Sequence, residues 1–322
     1  MKGKVLQLLR DHRDDFLSGE RISEELSCSR TMVWKYIDSL RKEGYEILAV
    51  SNKGYQLKGE SDVVSVHAIE SRLIRDSMFQ HINYEESAVS TQISAHKLDA
   101  EGALAGTVVV ANEQTGGRGR LGRSWYSPPD TGIWMSMILR PEVELREAPQ
   151  ITLVTAIAVV RGIEKATDIE VDIKWPNDLL LCGKKIAGIL TEMQADPDRV
   201  NSVIVGIGIN VNQTSFPEDV KGVATSLSAM TGKIYHRAAI IAEILNEFQW
   251  LYDTYLTKGF SFLKPLWEAR AVTIGKKIIA RTPKESIEGI AEGIDEEGVL
   301  LLRDNNNKLH RIYSADIDLS KN

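Results

Sequence analysis

Apolar residues near the N-terminus recur at helical spacing and then switch to short alternating runs. Val5, Leu6, Leu8 and Leu9 make one helix face, and Ile22 with Leu26 marks a second, short helix. Ser27-Cys28-Ser29 reads as a tight turn in which Ser29 can cap a third helix. In that helix Met32, Val33, Tyr36, Ile37 and Leu40 form one buried stripe, which leaves Arg30, Thr31, Trp34, Lys35 and Asp38 facing outward. Arg41 and Lys42 suit the negative end of the helix dipole, and Gly44 stops the helix. Two short strands are expected at 45–50 and 55–57, joined by the turn Ser51-Asn52-Lys53-Gly54.

The polar stretch Gly59-Glu60-Ser61-Asp62 reads as a linker, with a short helix after Ser65. Strand-like runs then occupy 107–111, 133–139, 171–174, 179–181, 186–193 and 203–211, and helical runs occupy 94–104, 148–166 and 238–256. Strands outnumber helices and several are joined by turns of hairpin length, such as Cys182-Gly183-Lys184. This favours an α+β arrangement, a mixed β-sheet with helices on one face, over a doubly wound sheet. Short strands at 272–275, 277–280, 287–294, 299–302 and 309–313, split by Gly-, Pro- and Asn-rich turns, predict a small, SH3-like β-barrel. The expected division is 1–62, 66–270 and 271–322.

The first block has the order of a winged helix-turn-helix, in which the third helix enters the major groove of DNA and the hairpin lies along the duplex. The alternative is a three-helix interaction module whose basic residues are merely solvated. The net charge of −6 over 322 residues argues against wholesale coating of nucleic acid. Locally the balance reverses, since Arg30, Lys35, Arg41, Lys42, Lys53 and Lys58 outnumber Asp38, Glu43 and Glu46. Arg30, Thr31, Trp34, Lys35 and the hairpin-tip Lys53 are therefore the candidate DNA contacts. The start of the chain lacks a leader-like apolar run, so a cytoplasmic location with no membrane partner is expected. Cys28 and Cys182 lie far apart, the histidines show no ligand spacing, and both thiols are expected to be packed with no zinc site.

Four clusters in the second block exceed what core packing needs. Ser90-Thr91-Gln92 opens a helix after a strand, where hydroxyls, an amide and free backbone N–H groups converge on a small polar ligand. Gln114 and the loop Gly117-Arg118-Gly119-Arg120-Leu121-Gly122-Arg123 follow the next strand. The loop contains a formal G-x-G-x-x-G, but Gly122 runs into Arg123-Ser124-Trp125-Tyr126-Ser127-Pro128-Pro129, with no helix to complete a dinucleotide turn. Its three arginines suit a mobile, glycine-hinged loop that closes over an anion. Lys174-Trp175-Pro176-Asn177-Asp178 ends a strand, and Lys184-Lys185-Ile186-Ala187-Gly188-Ile189 enters another. Each has a plain reading: Ser90 as a helix cap, Asp178 as a turn former, Lys185 as a strand-edge charge that discourages aggregation.

GRGRLGR, KWPNDLL and GKKIAGIL, in that order and behind a winged helix, resemble the bifunctional biotin protein ligases that also repress biotin genes, and the resemblance covers nearly the whole chain. It departs mildly at Val89, where the family has an acid, and at Gln92, where Asn is common. The resemblance implies that ATP, with Mg²⁺, activates biotin to biotinyl-5′-AMP, which passes biotin to a lysine of a biotin carboxyl carrier protein. No tightly bound prosthetic group is implied. Lys185, Asp178 and Arg118 would be catalytic, Lys185 lying between carboxylate and phosphate and Asp178 ordering the phosphates or holding Mg²⁺. Biotin would be held by Ser90, Thr91, Gln92, Gln114, Arg118, Gly119, Arg120 and Lys185, with Gly188, Gly206 and Gly208 allowing close approach. The nucleotide would be held by Arg118, Arg120, Arg123, Trp125, Lys174, Asn177, Lys185 and Asn210. The adenylate would act as corepressor, favouring a homodimer on operator DNA, paired through a catalytic-block strand edge near 203–211.

A non-catalytic sensor of a small acid is the rival from another class, but sensing does not require so many convergent cations. A lipoate-type ligase of the same fold lacks a reason for the winged helix.

Overall fold

The computed structural model describes residues 1–319. Its first unit is α1 (Lys2–Asp11), α2 (Gly19–Glu25), α3 (Arg30–Lys42) and the antiparallel hairpin β1 (Glu46–Val50) with β2 (Gly54–Gly59). Ser29 caps α3 by accepting the Met32 N–H at 3.2 Å, and Gly44, at φ 93°, turns the chain out of it. Val5, Leu6, Leu9, Ile22, Val33, Ile37 and Leu40 form a closed core. Met32, expected in the buried stripe, is 36% exposed, because it lies one position round from Val33 on the flank of the helix.

The stretch expected to be a linker is an ionic seam. Glu60 accepts from Arg10 Nε at 3.0 Å and Nη2 at 2.6 Å, and from Arg72 at 2.5 Å. Asp62 binds the Arg237 backbone N–H at 2.8 Å and Nε at 2.7 Å. The short helix expected after Ser65 is α4 (Val66–Glu70). Its His67 pairs with Glu43 of the first unit at 2.5 Å.

The central sheet has seven strands, ordered β3-β4-β5-β9-β8-β7-β6. They are β3 (His81–Ala88), β4 (Thr107–Gln114), β5 (Gly132–Leu139), β6 (Asp172–Lys174), β7 (Asp178–Leu181), β8 (Lys184–Asp196) and β9 (Arg199–Asn210). β3 and β4 run parallel and the other ladders are antiparallel, so the sheet is mixed. The helices are α5 (Thr91–Ala100), α6 (Gln150–Thr167), α7 (Leu227–Thr231), α8 (Arg237–Lys258) and α9 (Phe260–Glu268). α9 is not among the expected helices, although its buried Phe260, Leu263 and Trp267 keep helical spacing; it carries Pro265, which reads locally as a helix breaker.

The expectation of helices on one face holds for the long α6 and α8, whose residues share the main core with Val108, Val110, Met135 and Val205. The short α5 lies on the opposite face, where Ala95 meets Val109, Ile138 and Ile204. Side chains alternate across a strand, so one face is committed to core and the other can carry the site. β9 is an interior strand between β5 and β8, which corrects the expectation of a pairing edge at 203–211. Open edges lie instead at β3, the end of the order, and along the far half of β8, since β7 pairs with β8 only from Lys184 to Gly188.

The C-terminal unit is a five-stranded antiparallel sheet, ordered β13-β12-β11-β10-β14. Its strands are β10 (Lys277–Arg281), β11 (Ser286–Ile294), β12 (Leu300–Asp304), β13 (Leu309–Ile312) and β14 (Asp316–Leu319). The strand expected at 272–275 is a turn, with Gly275 at φ 74°, and the missing strand is β14, disguised by its acids. Trp175 fastens this unit to the central sheet by donating its indole N–H to the Gly298 carbonyl at 3.2 Å. Ile278, Leu300 and Ile317 continue the main core, whereas the winged unit keeps a core of its own.

Candidate active site

A cavity of about 810 Å³ opens on the α5 face of the central sheet, closed on one side by the 117–126 loop and on another by β14. Every residue proposed for biotin or nucleotide lines it: Ser90, Thr91, Gln92 and Gln114 at one end; Arg118, Gly119, Arg120, Arg123 and Trp125 on the loop; Lys174, Asn177, Asp178 and Lys185 at the strand ends; and Gly188, Gly206, Gly208 and Asn210 beneath.

The glycines are required by what lies on them. A Cβ at Gly208 would come within 2.5 Å of Trp125 Nε1, and one at Gly188 within 3.1 Å of Trp125 Cζ3. One at Gly206 would meet Gln92 Oε1 at 2.6 Å. The bare strands therefore seat an indole and an amide, and the indole N–H is buried without a partner.

The β7–β8 hairpin places the two charged groups of opposite sign. Asp178 opens β7 and Lys185 stands near the start of β8, past a bulge at Leu179/Leu180, and Lys185 Nζ lies 2.5 Å from Asp178 Oδ1. The ammonium also sits 5.2 Å from the centroid of the Trp125 ring. Backbone bonds from Lys185 to Val223 and from Thr225 to Lys185, at 2.8 and 2.9 Å, bring the chain after β9 alongside as a further wall. Cys182 occupies the turn of this hairpin at φ 50° and is exposed, not packed as expected.

The arginine loop is folded back on itself, Trp125 N–H donating to the Gly117 carbonyl at 2.9 Å and Gly119 N–H to that of Arg123 at 2.8 Å. Leu121 and Gly122 turn its tip at φ 57° and 73°. Arg120 donates to Asn177 Oδ1 at 2.9 Å and to Ser314 Oγ at 2.7 Å, and Arg123 pairs with Asp316. Burial holds the Arg120 guanidinium below its ordinary pKa, against the opposing pull of Asp316 and Asp178. Arg118 is exposed on the pocket side. Arg120 and Arg123 thus bond neutral or acidic groups, Asn177 of the central block and Ser314 and Asp316 of the C-terminal unit, that a phosphate can replace.

Asn177 and Asn210 are engaged by the protein itself. Asn177 Nδ2 donates to the Ile189 carbonyl at 2.8 Å, and Asn210 Nδ2 donates to that of Thr225 at 3.0 Å. Ser90 precedes α5 without making a side-chain cap, which leaves its buried hydroxyl free for a ligand. Asp316, Ser314, Ser127 and Ser136 escape sequence reasoning, because none stands in a motif and the fold alone brings them here. On the winged unit, Arg30, Thr31, Trp34 and Lys35 all lie on the exposed side of α3, Trp34 56% exposed, and Lys53 is exposed at the hairpin tip.

Three family models match the chain: an HTH domain over 2–56, the Biotin/lipoate A/B protein ligase family over 86–210, and the Biotin protein ligase C terminal domain over 273–320. The Bifunctional ligase/repressor BirA of Bacillus subtilis (strain 168) is 50% identical over 321 residues, covering 99% of this chain and 98% of that one. The chain belongs to the biotin protein ligases. Within this family, the Bifunctional ligase/repressor BirA of Escherichia coli (strain K12) is 29% identical over 93% of this chain and 91% of its own. Among solved structures, the biotin protein ligase from Aquifex aeolicus in complex with biotin and ATP superposes with a TM-score of 0.67 at 31% identity, covering 76% of this chain and 100% of that one. Its shorter span leaves about a quarter of the present chain unmatched.

Proposed function

We infer that the protein is an ATP-dependent biotin protein ligase that also represses biotin genes, and that one pocket serves both tasks. The observation that carries this is the Lys185–Asp178 pair at the head of a glycine-floored cavity under an arginine-bearing loop. In the first step a biotin carboxylate oxygen attacks the α-phosphorus of ATP, the bond to the bridging oxygen breaks, and pyrophosphate leaves. In the second the amine of a carrier-protein lysine attacks the acyl carbon, AMP leaves with the bonding electrons, and the amine sheds a proton.

Two anions must approach in the first step, and a water-poor cavity raises the cost of that unless cations are already in place. Lys185, released from Asp178, is the point charge between carboxylate and phosphate, and Arg118, Arg120 and Arg123 approach the phosphate oxygens as the loop closes. Among the described residues no cluster of three or more His, Cys, Asp or Glu could hold a metal ion. The single carboxylate of Asp178 would suit a Mg²⁺ brought with the ATP phosphates, where the ion would supply charge neutralisation. Freed from Lys185, Asp178 is also placed to accept the proton of the incoming amine. Thr91, Gln114 and Ser90 face the ring end of biotin, and the Trp125 indole forms the floor between ring and nucleotide.

For repression, Arg30, Thr31, Trp34, Lys35 and Lys53 form the DNA face. A homodimer favoured by the adenylate, paired at the open edge of β8, would present two such faces to a palindromic operator. No helix among the described residues is long and apolar enough to cross a membrane. The test is to mix the purified protein with ATP and labelled biotin, separate it by gel filtration and assay the protein fraction. Protein-bound biotinyl-5′-AMP, discharged on adding a carrier domain, is expected. Label that elutes only as free biotin would contradict the reading.

A further inference from the structure

Beneath the ring end of the pocket a buried polar chain runs outward to the surface. Gln92, 4% exposed, donates both amide hydrogens to protein acceptors, to the Ile204 carbonyl at 3.1 Å and to Glu192 Oε2 at 3.0 Å. Its Oε1 therefore faces the Ser136 hydroxyl, which donates to it at 3.0 Å. Ser136 is fully buried, and having spent its one hydrogen on Gln92 it can only accept from Thr91, 2.9 Å away. Gln114 Oε1 receives the Thr91 backbone N–H at 2.9 Å, while its Nε2 donates to Ser127 at 2.8 Å. The sense of each bond fixes that of the next. Because Ser136 needs a donor, the Thr91 hydrogen goes inward to it at 2.9 Å in preference to Gln114 Oε1 at 3.2 Å, and Thr91 turns lone pairs to the cavity; Gln114 keeps one N–H for the cavity.

We propose that Glu192 is a positioning residue for ligand recognition: its carboxylate locks the Gln92 amide in one of two orientations and so sets the donor–acceptor pattern that the pocket shows to a cyclic urea. Turned over, Gln92 would aim its carbonyl at two acceptors, Glu192 and the Ile204 carbonyl, and the chain through Ser136 and Thr91 would reverse. Without Glu192 only the Ile204 carbonyl opposes that turn. Glu192 itself touches no cavity space; it sits on β8 opposite Ile204, on the α5 face, and its second partner is His96 Nε2 at 2.8 Å. A cyclic urea offers two N–H donors and one carbonyl acceptor, the complement of Thr91 lone pairs and a Gln114 N–H. The inference rests on reading this pocket as the biotin site.

The test compares Glu192→Leu, Glu192→Gln and His96→Ala with the parent protein in steady-state adenylate formation at saturating ATP. Glu192→Leu is expected to raise KM for biotin about tenfold, the worth of one net hydrogen bond, with kcat within about twofold. Glu192→Gln keeps an acceptor in place and should restore KM to within about threefold of the parent, and His96→Ala should leave KM unchanged. Should Glu192→Leu fail to fold, Ser136→Ala breaks the same chain by one atom and must show the same split between KM and kcat. An unchanged biotin KM in the variant that folds, an equal loss of kcat, or a Glu192→Gln protein as impaired as Glu192→Leu would overturn the proposal. If the parent protein forms no adenylate from biotin and ATP, it is the reading of the pocket that fails.

Discussion

Lys185 and Lys184 are neighbours with different surroundings, and the difference makes a clean experiment. Lys185 reaches Asp178 and the Trp125 ring inside the cavity, whereas Lys184 is exposed at the turn. Lys185→Ala removes a cation from the point where two anions meet, so adenylate formation should fall by about 10²–10³, the cost of one lost transition-state contact. The melting temperature should barely move, since a partly exposed ion pair contributes little to stability. Lys184→Ala should be near normal by the same assay, and the opposite ranking would mean that the register assigned to this strand is wrong. Arg118 contributes in another way. It is free on the pocket side of the loop, so Arg118→Gly should still make adenylate but shorten its half-life on the enzyme by about 10- to 100-fold, the worth of one hydrogen bond to a charged group. The measurement is release of adenylate into solution and labelling of stray lysines; an unchanged half-life would remove the lid from the account.

Elements meet at two junctions of unlike chemistry. The C-terminal sheet shares its core with the catalytic block, while the winged unit joins it largely through polar contacts, ion pairs at Glu60 and Asp62 and a contact of His67 with Glu43. Burial pushes the Glu60 carboxyl up, but the hydrogen bond from Arg10 and the charge of Arg72 outweigh it and hold the group at about 2 against an ordinary 4.5. A depressed folded-state pKa contributes stability that is complete above the unfolded value and lost as pH falls through the folded one. The seam should therefore weaken between pH 4.5 and about 2, by on the order of 3 kcal/mol in all. A Glu60→Gln protein, unfolded by denaturant across that range, should show a shallower pH dependence than the parent; equal slopes would exclude this group as the cause.

Much of this was legible in the sequence, and the exceptions have physical causes. The helical stripe, the Ser29 cap and the Gly44 stop mark the winged unit, and the three motifs name residues that do converge on one cavity. The polar run at 59–62 reads as a linker because nothing local reveals that Glu60 and Asp62 have arginine partners distant in sequence. Trp125 on Gly188 and Gly208, Asp316 opposite Arg123 and Glu192 beneath Gln92 are likewise pairings made by sheet order, which composition and periodicity do not carry. The interior placement of β9 belongs here too, since a strand reads the same from its own residues at an edge or in the middle.

Taken as one object, the chain joins a biotin protein ligase to an HTH unit across an ionic seam. A single winged unit makes few phosphate contacts and should bind DNA weakly, with strong salt dependence. Two units on a palindrome gain specificity if the adenylate favours pairing at the open β8 edge, and the coupling must then run both ways, operator DNA tightening adenylate binding. A carrier protein that consumes the adenylate would also remove the corepressor, so demand for biotin is read directly. The most direct measurement is a titration of operator DNA at fixed salt, with and without biotin plus ATP, using the full chain and a version lacking residues 1–65. Biotin plus ATP should tighten binding of the full chain, make its sedimentation dimeric and leave the truncated protein unable to bind. Equal operator affinity with and without the two ligands, or operator binding by the truncated protein as strong as by the full chain, would contradict it.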